Sequence, residues 1–144
     1  MQVKEVMTRN VECVRPDDSL QAAARKMRDL DVGPLPVCGD NDRLAGMITD
    51  RDITVRAVAE GWNPTEHRVR EAMTDQVIYC QDDQDVEEAS RMMQDRQVRR
   101  LMVLSRDKRL VGIVSLGDLA VKSRDEHASA RALEGVSEPA RPSR

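Results

Sequence analysis

The chain carries the same pattern twice, and few folds accommodate that. Displaced by 66 positions, residues 3–54 align with residues 69–120 without a gap, and 17 of the 52 pairs are identical. The identities include Met7-Thr8 with Met73-Thr74, Ala23 with Ala89, Met27 with Met93, Gly46 with Gly112 and Asp52 with Asp118. Two copies are too few for a solenoid, in which several neighbours bury one another's faces. One repeat packed on the other about a pseudo-two-fold axis is expected instead, so that a ligand between them meets similar groups from both sides.

Composition narrows the function. A net charge of −3 over 144 residues lacks the basic stripe of a nucleic-acid protein. With no Phe, and with Tyr79 and Trp62 the only Tyr and Trp, base-stacking platforms are missing too. The core must be built from aliphatic residues and eight Met. No apolar run approaches the roughly 18 residues of a membrane span, and the first five residues lack the apolar stretch of a signal peptide. A cytoplasmic protein with no nucleic-acid or membrane partner is expected.

Each copy reads strand, helix, strand, strand, helix, a mixed α/β (α+β) plan. In copy one, residues 11–14 form a short apolar strand and Pro16-Asp17-Asp18-Ser19 a helix start. Leu20, Ala23, Ala24, Met27 and Leu30 recur at helical spacing. Residues 35–37 and 44–48 form two strands about the polar turn Gly39-Asp40-Asn41-Asp42. Ile53, Val55, Ala57 and Val58 suit a final helix. Copy two repeats the plan with strands at 77–80, 101–104 and 110–114 and helices at 86–93 and 116–121, and Asp85 with Glu88 has capping-box spacing. The second and third strands of each copy should pair as an antiparallel hairpin, and the first should lie parallel to the second across a helical crossover. The domains are repeat 1 at residues 1–60, a breaker-rich linker at 61–68, repeat 2 at 69–124 and a disordered Pro/Ser/Ala/Arg tail at 125–144.

The chemistry gathers where the third strand of each copy ends. Gly46-Met47-Ile48-Thr49-Asp50-Arg51-Asp52 and Gly112-Ile113-Val114-Ser115-Leu116-Gly117-Asp118 share glycine, two apolar residues, a hydroxyl, two variable positions and aspartate. Thr49 and Ser115 stand at the N-cap, where free N–H groups suit phosphate. Asp52 and Asp118 could accept both hydroxyls of a ribose. Thr-x-x-Asp is also a near capping box, satisfied by its own helix. An isolated copy favours the cap. Recurrence in both copies favours a nucleotide grip, although duplication alone could preserve a cap.

The doubled motif, preceded by Val6-Met7-Thr8 and by Asp31-Val32-Gly33-Pro34-Leu35-Pro36-Val37, resembles the cystathionine-β-synthase-type (CBS) domain in tandem, a stand-alone Bateman module. The resemblance spans about residues 1–124. It implies two β-α-β-β-α repeats forming a regulatory, signal-transducing module that senses AMP, ADP, ATP, NAD or S-adenosylmethionine in the cleft between them. A homodimer and a regulated protein partner of unknown identity are implied as well. By position, Asp52 and Asp118 would hold ribose, and Thr49 and Ser115 phosphate, with Asp50 and Arg51 in the first loop. Val11, Glu12 and Cys13, and Val77, Ile78 and Tyr79, would border adenine. Pro34, Leu35 and Pro36, and Arg100, Leu101 and Met102, would wall the cleft.

The copies differ in useful ways. Arg99-Arg100 stands where copy one has Gly33-Pro34, and Arg51 faces Gly117. Arg offers forked donors to phosphate, so charge for a polyphosphate comes mainly from copy two, unless the two arginines are a solvated pair beside Asp95. The two clefts should not be equivalent.

Other constellations carry less. His67 and His127 are expected as surface histidines without metal spacing. Cys13, Cys38 and Cys80 read as small buried hydrophobes. Cys13 and Cys38 nonetheless end neighbouring strands and form a candidate disulfide. No nucleophile, base and orienting group stand in a recognisable set, so no enzyme, catalytic cofactor or metal is expected. The alternative to a ligand sensor is a ligand-independent interaction or redox-responsive scaffold, with both Thr/Ser-x-x-Asp turns acting only as caps.

Overall fold

Ser19 opens the first long helix as the sequence requires. Its hydroxyl accepts the Ala22 N–H at 3.0 Å, and α1 (Leu20–Leu30) buries Leu20, Ala23 and Met27 along one stripe. Ala24 and Leu30, counted with that stripe in the sequence, are exposed instead. The structure, a computed structural model, describes residues 1–122, so the tail expected at 125–144 and His127 lie outside the described residues. α1 ends where Asp31 turns left-handed at φ 55° and returns its N–H to Arg28 and Met27.

β1 (Pro34–Cys38) and β2 (Leu44–Thr49) form the expected antiparallel hairpin, with Pro34 opposite Thr49 and Leu35 opposite Ile48. Asn41 and Asp42 take positive φ in its turn, which their short polar side chains tolerate. The strand expected at 11–14 reduces to a single parallel bridge from Val14 to Val37. Charged Glu12 and Arg15 flank it, and residues 11–13 lie outside any ladder. α2 begins at Asp50–Asp52 and continues over Ile53–Val58 as wider π-helical turns, with Ala59 N–H reaching the Thr54 carbonyl at 3.0 Å. α3 (Val69–Ala72), a short helix the apolar pattern did not reveal, follows the connector.

Copy two forms β3 (Tyr79–Gln81), α4 (Val86–Arg96), β4 (Arg100–Leu104), β5 (Leu110–Ser115) and α5 (Leu116–Lys122). β3 lies parallel to β4 across the α4 crossover, and β4 antiparallel to β5. The Asp85–Glu88 capping box does not form. Asp85 accepts from Glu87 N–H at 2.8 Å, while Glu88 takes the Gln84 side chain at 3.0 Å.

The compact units differ from the sequence repeats. Among the described residues, one comprises residues 1–11 and 78–122, and the other residues 12–77. In the first, Val3 N–H bonds Gln84 O, Lys4 N–H bonds Asp82 O and Val86 N–H bonds Met1 O, at 2.8–2.9 Å. In the second, Val69, Arg70 and Leu20 make the corresponding bonds to Asp18, Pro16 and His67, at 2.8–3.0 Å. The leading segment of each copy therefore serves the other copy's sheet and helices.

Burial holds this exchange. Val3, Val6 and Met7 join Val86, Met93, Leu101, Val103, Val114 and Leu119 in one core. Val69 and Ala72 join Val14, Leu20, Met27, Leu35, Val37 and Ile48 in the other. Full burial of a Val side chain contributes roughly 1.5–3 kcal/mol, which favours the docked position of each segment.

Candidate functional site

β2 turns into α2, and β5 into α5, through a closed capping box. In residues 12–77, Thr49 Oγ1 accepts from Asp52 N–H and Asp52 Oδ2 from Thr49 N–H, both at 3.0 Å. In the other unit, Ser115 Oγ accepts from Asp118 N–H at 3.1 Å and Asp118 Oδ2 from Ser115 N–H at 2.9 Å. The hydroxyl and one carboxylate oxygen of each motif are thus engaged by their own backbone. All four side chains remain half-buried and within reach of solvent.

The neighbours of these turns are fixed by strand register. Pro34 lies opposite Thr49, and Asp50 N–H bonds the Gly33 carbonyl at 2.9 Å. In the other unit Arg100 lies opposite Ser115, and Leu116 N–H bonds the Arg99 carbonyl at 3.0 Å. One turn is therefore flanked by Gly-Pro and the other by Arg-Arg. Arg51 is exposed, and Asp50 accepts from Arg51 N–H at 2.9 Å.

The remaining expected residues divide. Leu35 and Leu101 are 2% and 1% exposed and belong to the cores, so only their backbone could border a ligand. Pro36 and Met102 are also buried, and Tyr79, opposite Met102, is exposed. The chain passes from one unit to the other between Val11 and Glu12 and again between Val77 and Ile78, within the two segments expected to border adenine.

Several contributors were not legible in sequence. Lys26 Nζ donates to the Cys13 carbonyl at 3.0 Å and pairs with Glu12 at 3.5 Å, steadying residues 12–13. Arg56 donates to the Ala72 and Met73 carbonyls at 3.3 and 3.2 Å, satisfying the end of α3. A groove of about 390 Å³ beside α1 and α2 is lined by Met27, Val32 and Ile53 with Arg28, Asp31 and Asp50. His67 is not a bare surface histidine. Its ring stacks on Trp62 with centroids 4.4 Å apart, and its Nδ1 lies 2.9 Å from Glu71. Cys38 and Cys80 are buried as expected, and Cys13 is half-buried. Among the described residues no cluster of three or more His, Cys, Asp or Glu could hold a metal, and no helix is long and apolar enough to cross a membrane.

The sequence matches the CBS domain twice, over residues 3–58 and 69–124. The chain belongs to the CBS domain family. It is 39% identical over 136 residues to Hypoxic response protein 1 of Mycobacterium tuberculosis, covering 94% of both chains. It is 38% identical over 135 residues to the CBS domain-containing protein YhcV of Bacillus subtilis, again covering 94% of each. Among solved structures it resembles Hypoxic Response Protein I with two coordinated zinc ions, at TM-score 0.73 and 41% identity, over 83% of this chain and 97% of that one. It also resembles CBSX2 in complex with AMP, at TM-score 0.69 and 26% identity, over 83% and 93%. A third likeness is the CBS domain pair of MJ0100 in complex with 5'-methylthioadenosine and S-adenosylmethionine, at TM-score 0.66 and 25% identity, over 83% and 97%.

Proposed function

We propose that this CBS protein is a non-enzymatic regulatory module that binds an adenosyl ligand at the two strand-to-helix turns, Thr49 to Asp52 and Ser115 to Asp118. The observation that carries this reading is the duplication of one arrangement: a half-buried hydroxyl and carboxylate, held rigidly by reciprocal backbone bonds at a helix start. A capped turn keeps its carboxylate in one rotamer, which lowers the ordering cost of a ribose contact. The AMP and S-adenosylmethionine complexes of similar CBS proteins support the ligand class.

The two turns serve different ligand ends. Arg99 and Arg100 beside Ser115 supply charge for phosphate, whereas Gly33 and Pro34 beside Thr49 supply none. The Ser115 turn therefore takes a phosphorylated nucleotide such as AMP, ADP or ATP. The Thr49 turn, with Arg51 as its one arginine, suits a less charged adenosyl ligand. The module works as a homodimer and signals to a protein partner.

The closed capping boxes also favour a second reading, in which both turns are caps alone and the chain is a ligand-independent scaffold. Thermal unfolding with AMP, ADP, ATP, NAD or S-adenosylmethionine separates the two, because a ligand bound only by the native state raises the midpoint. A rise with at least one supports sensing. No rise with any at millimolar concentration supports the scaffold.

A further inference from the structure

The unit formed by residues 12–77 contains two cysteines whose partner positions in the other copy are Tyr79 and Leu104, so whatever they do belongs to one copy alone. Val14 N–H bonds the Pro36 carbonyl at 3.0 Å and Cys38 N–H bonds the Val14 carbonyl at 2.9 Å, clamping the end of the leading segment against β1. Cys13 and Cys38 lie on either side of this clamp, and the Cys13 thiol is one of the neighbours that push the Cys38 thiol's pKa up. The register puts Cys13 beside Pro36, so the two cysteines are diagonal neighbours. Cys38 ends β1 opposite Leu44, whereas Cys13 is held in no ladder. Residues 11–13 are outside the sheet, and a register break separates Val37 from Cys38. That freedom allows the small adjustment disulfide geometry demands.

From this juxtaposition we infer that Cys13 and Cys38 are a redox-responsive pair, closed to an intramolecular disulfide by a hydroperoxide. Cys13 is half-buried and meets the oxidant, whereas Cys38 is 0% exposed. Burial, then the neighbouring Cys13, pushes the Cys38 thiol up to about 12, which keeps it protonated and shields it from direct attack. The Cys13 sulfur attacks one peroxide oxygen, the O–O bond breaks, and a sulfenic acid forms as the other oxygen leaves as water. The Cys38 sulfur then attacks the sulfenic sulfur, the S–O bond breaks, and the hydroxyl leaves with the Cys38 proton as a second water. Two thiols and one hydrogen peroxide give one disulfide and two waters.

The bond would replace a tether now made of backbone bonds and Lys26. Glu12 and Cys13 directly follow the point where the chain leaves the first unit, so the crosslink would fix that crossing point to β1. Cys80 serves as an internal control, since it is 1% exposed and has no cysteine partner in its core.

The test is peptide mapping of the full chain after hydrogen peroxide, with free thiols alkylated after unfolding. The expected product is monomeric by covalent mass, two hydrogens lighter, with a Cys13–Cys38 crosslinked peptide and alkylated Cys80. A bridge to Cys80, a chain-to-chain disulfide through Cys13, or Cys13 advanced to sulfinic acid with Cys38 free would each overturn the pairing. In Cys38→Ser, Cys13 should trap a small thiol or remain a sulfenic acid, detected by dimedone. Because the main readout uses the unsubstituted chain, a misfolded variant would leave the test intact, and it requires no ligand.

Discussion

Thr8 and Ile113 exchange both backbone hydrogen bonds, at 2.8 and 3.0 Å, although they belong to different sequence copies. Thr74 and Met47 repeat the exchange in the other unit, both bonds at 2.8 Å. The Met-Thr pair and the glycine of the repeated motif are therefore parts of one contact. A Cβ on Gly112 would stand 2.7 Å from the Thr8 carbonyl oxygen and from Met7 Sδ. Only glycine lets the leading segment lie this close.

Gly112→Ala should accordingly lower stability by about 1–3 kcal/mol, the range for overpacking a core that cannot relax freely. Gly117→Ala is the matched control, since the side chain its added carbon meets is Ser115, with Oγ at an ordinary 3.5 Å. Inside α5 it should gain up to about 1 kcal/mol of helix propensity. Urea midpoints with unchanged slope check both. Equal effects would refute the close approach.

The hairpins and long helices were legible because their patterns are local. Short apolar runs on either side of a polar turn marked β1, β2, β4 and β5, and the Leu20, Ala23, Met27 stripe marked α1. What escaped was non-local. Nothing in the sequence near Val3 or Val69 says which copy its side chain enters, because both copies offer the same apolar surface. The 11–14 strand failed because only Val14 finds a partner in β1. At the site, the turns and their asymmetry were visible in sequence, but the closed state of both capping boxes needed coordinates.

Asp52→Ala and Asp118→Ala each remove a cap. Each should cost about 0.5–2 kcal/mol of stability. On the proposed reading, the loss of a charged acceptor also weakens adenosyl binding by about 1.5–3 kcal/mol, or roughly ten- to a hundredfold. Asp118→Ala should act mainly on phosphorylated ligands. Calorimetry paired with urea unfolding separates the effects, and full affinity in a destabilised variant would make that aspartate a cap only.

Val55 and Val58 are 49% and 66% exposed on α2. On the proposed homodimer these residues are covered. Val58→Glu should then shift sedimentation from two chains toward one at roughly ten micromolar, because association depends on concentration. A wild-type chain that stays single at that concentration contradicts the dimer.

Glu71 carries a pH signature. Its carboxyl is held below the usual range first by the Arg68 N–H and then by His67. A lowered folded pKa means that the stabilisation is present above the unfolded value and is lost as pH falls through the folded one. Glu71→Gln should therefore flatten the acid-side fall in stability. Urea midpoints between about pH 6 and about pH 3 test this, and parallel profiles for the two proteins would contradict it.

Isothermal titration of the purified chain with AMP reads adenosyl binding at the duplicated turns without a coupled assay. Saturable heat should appear, persist in Asp52→Ala and fall at least tenfold in affinity in Asp118→Ala. Absence of heat at millimolar AMP, or equal affinity in all three proteins, would contradict it.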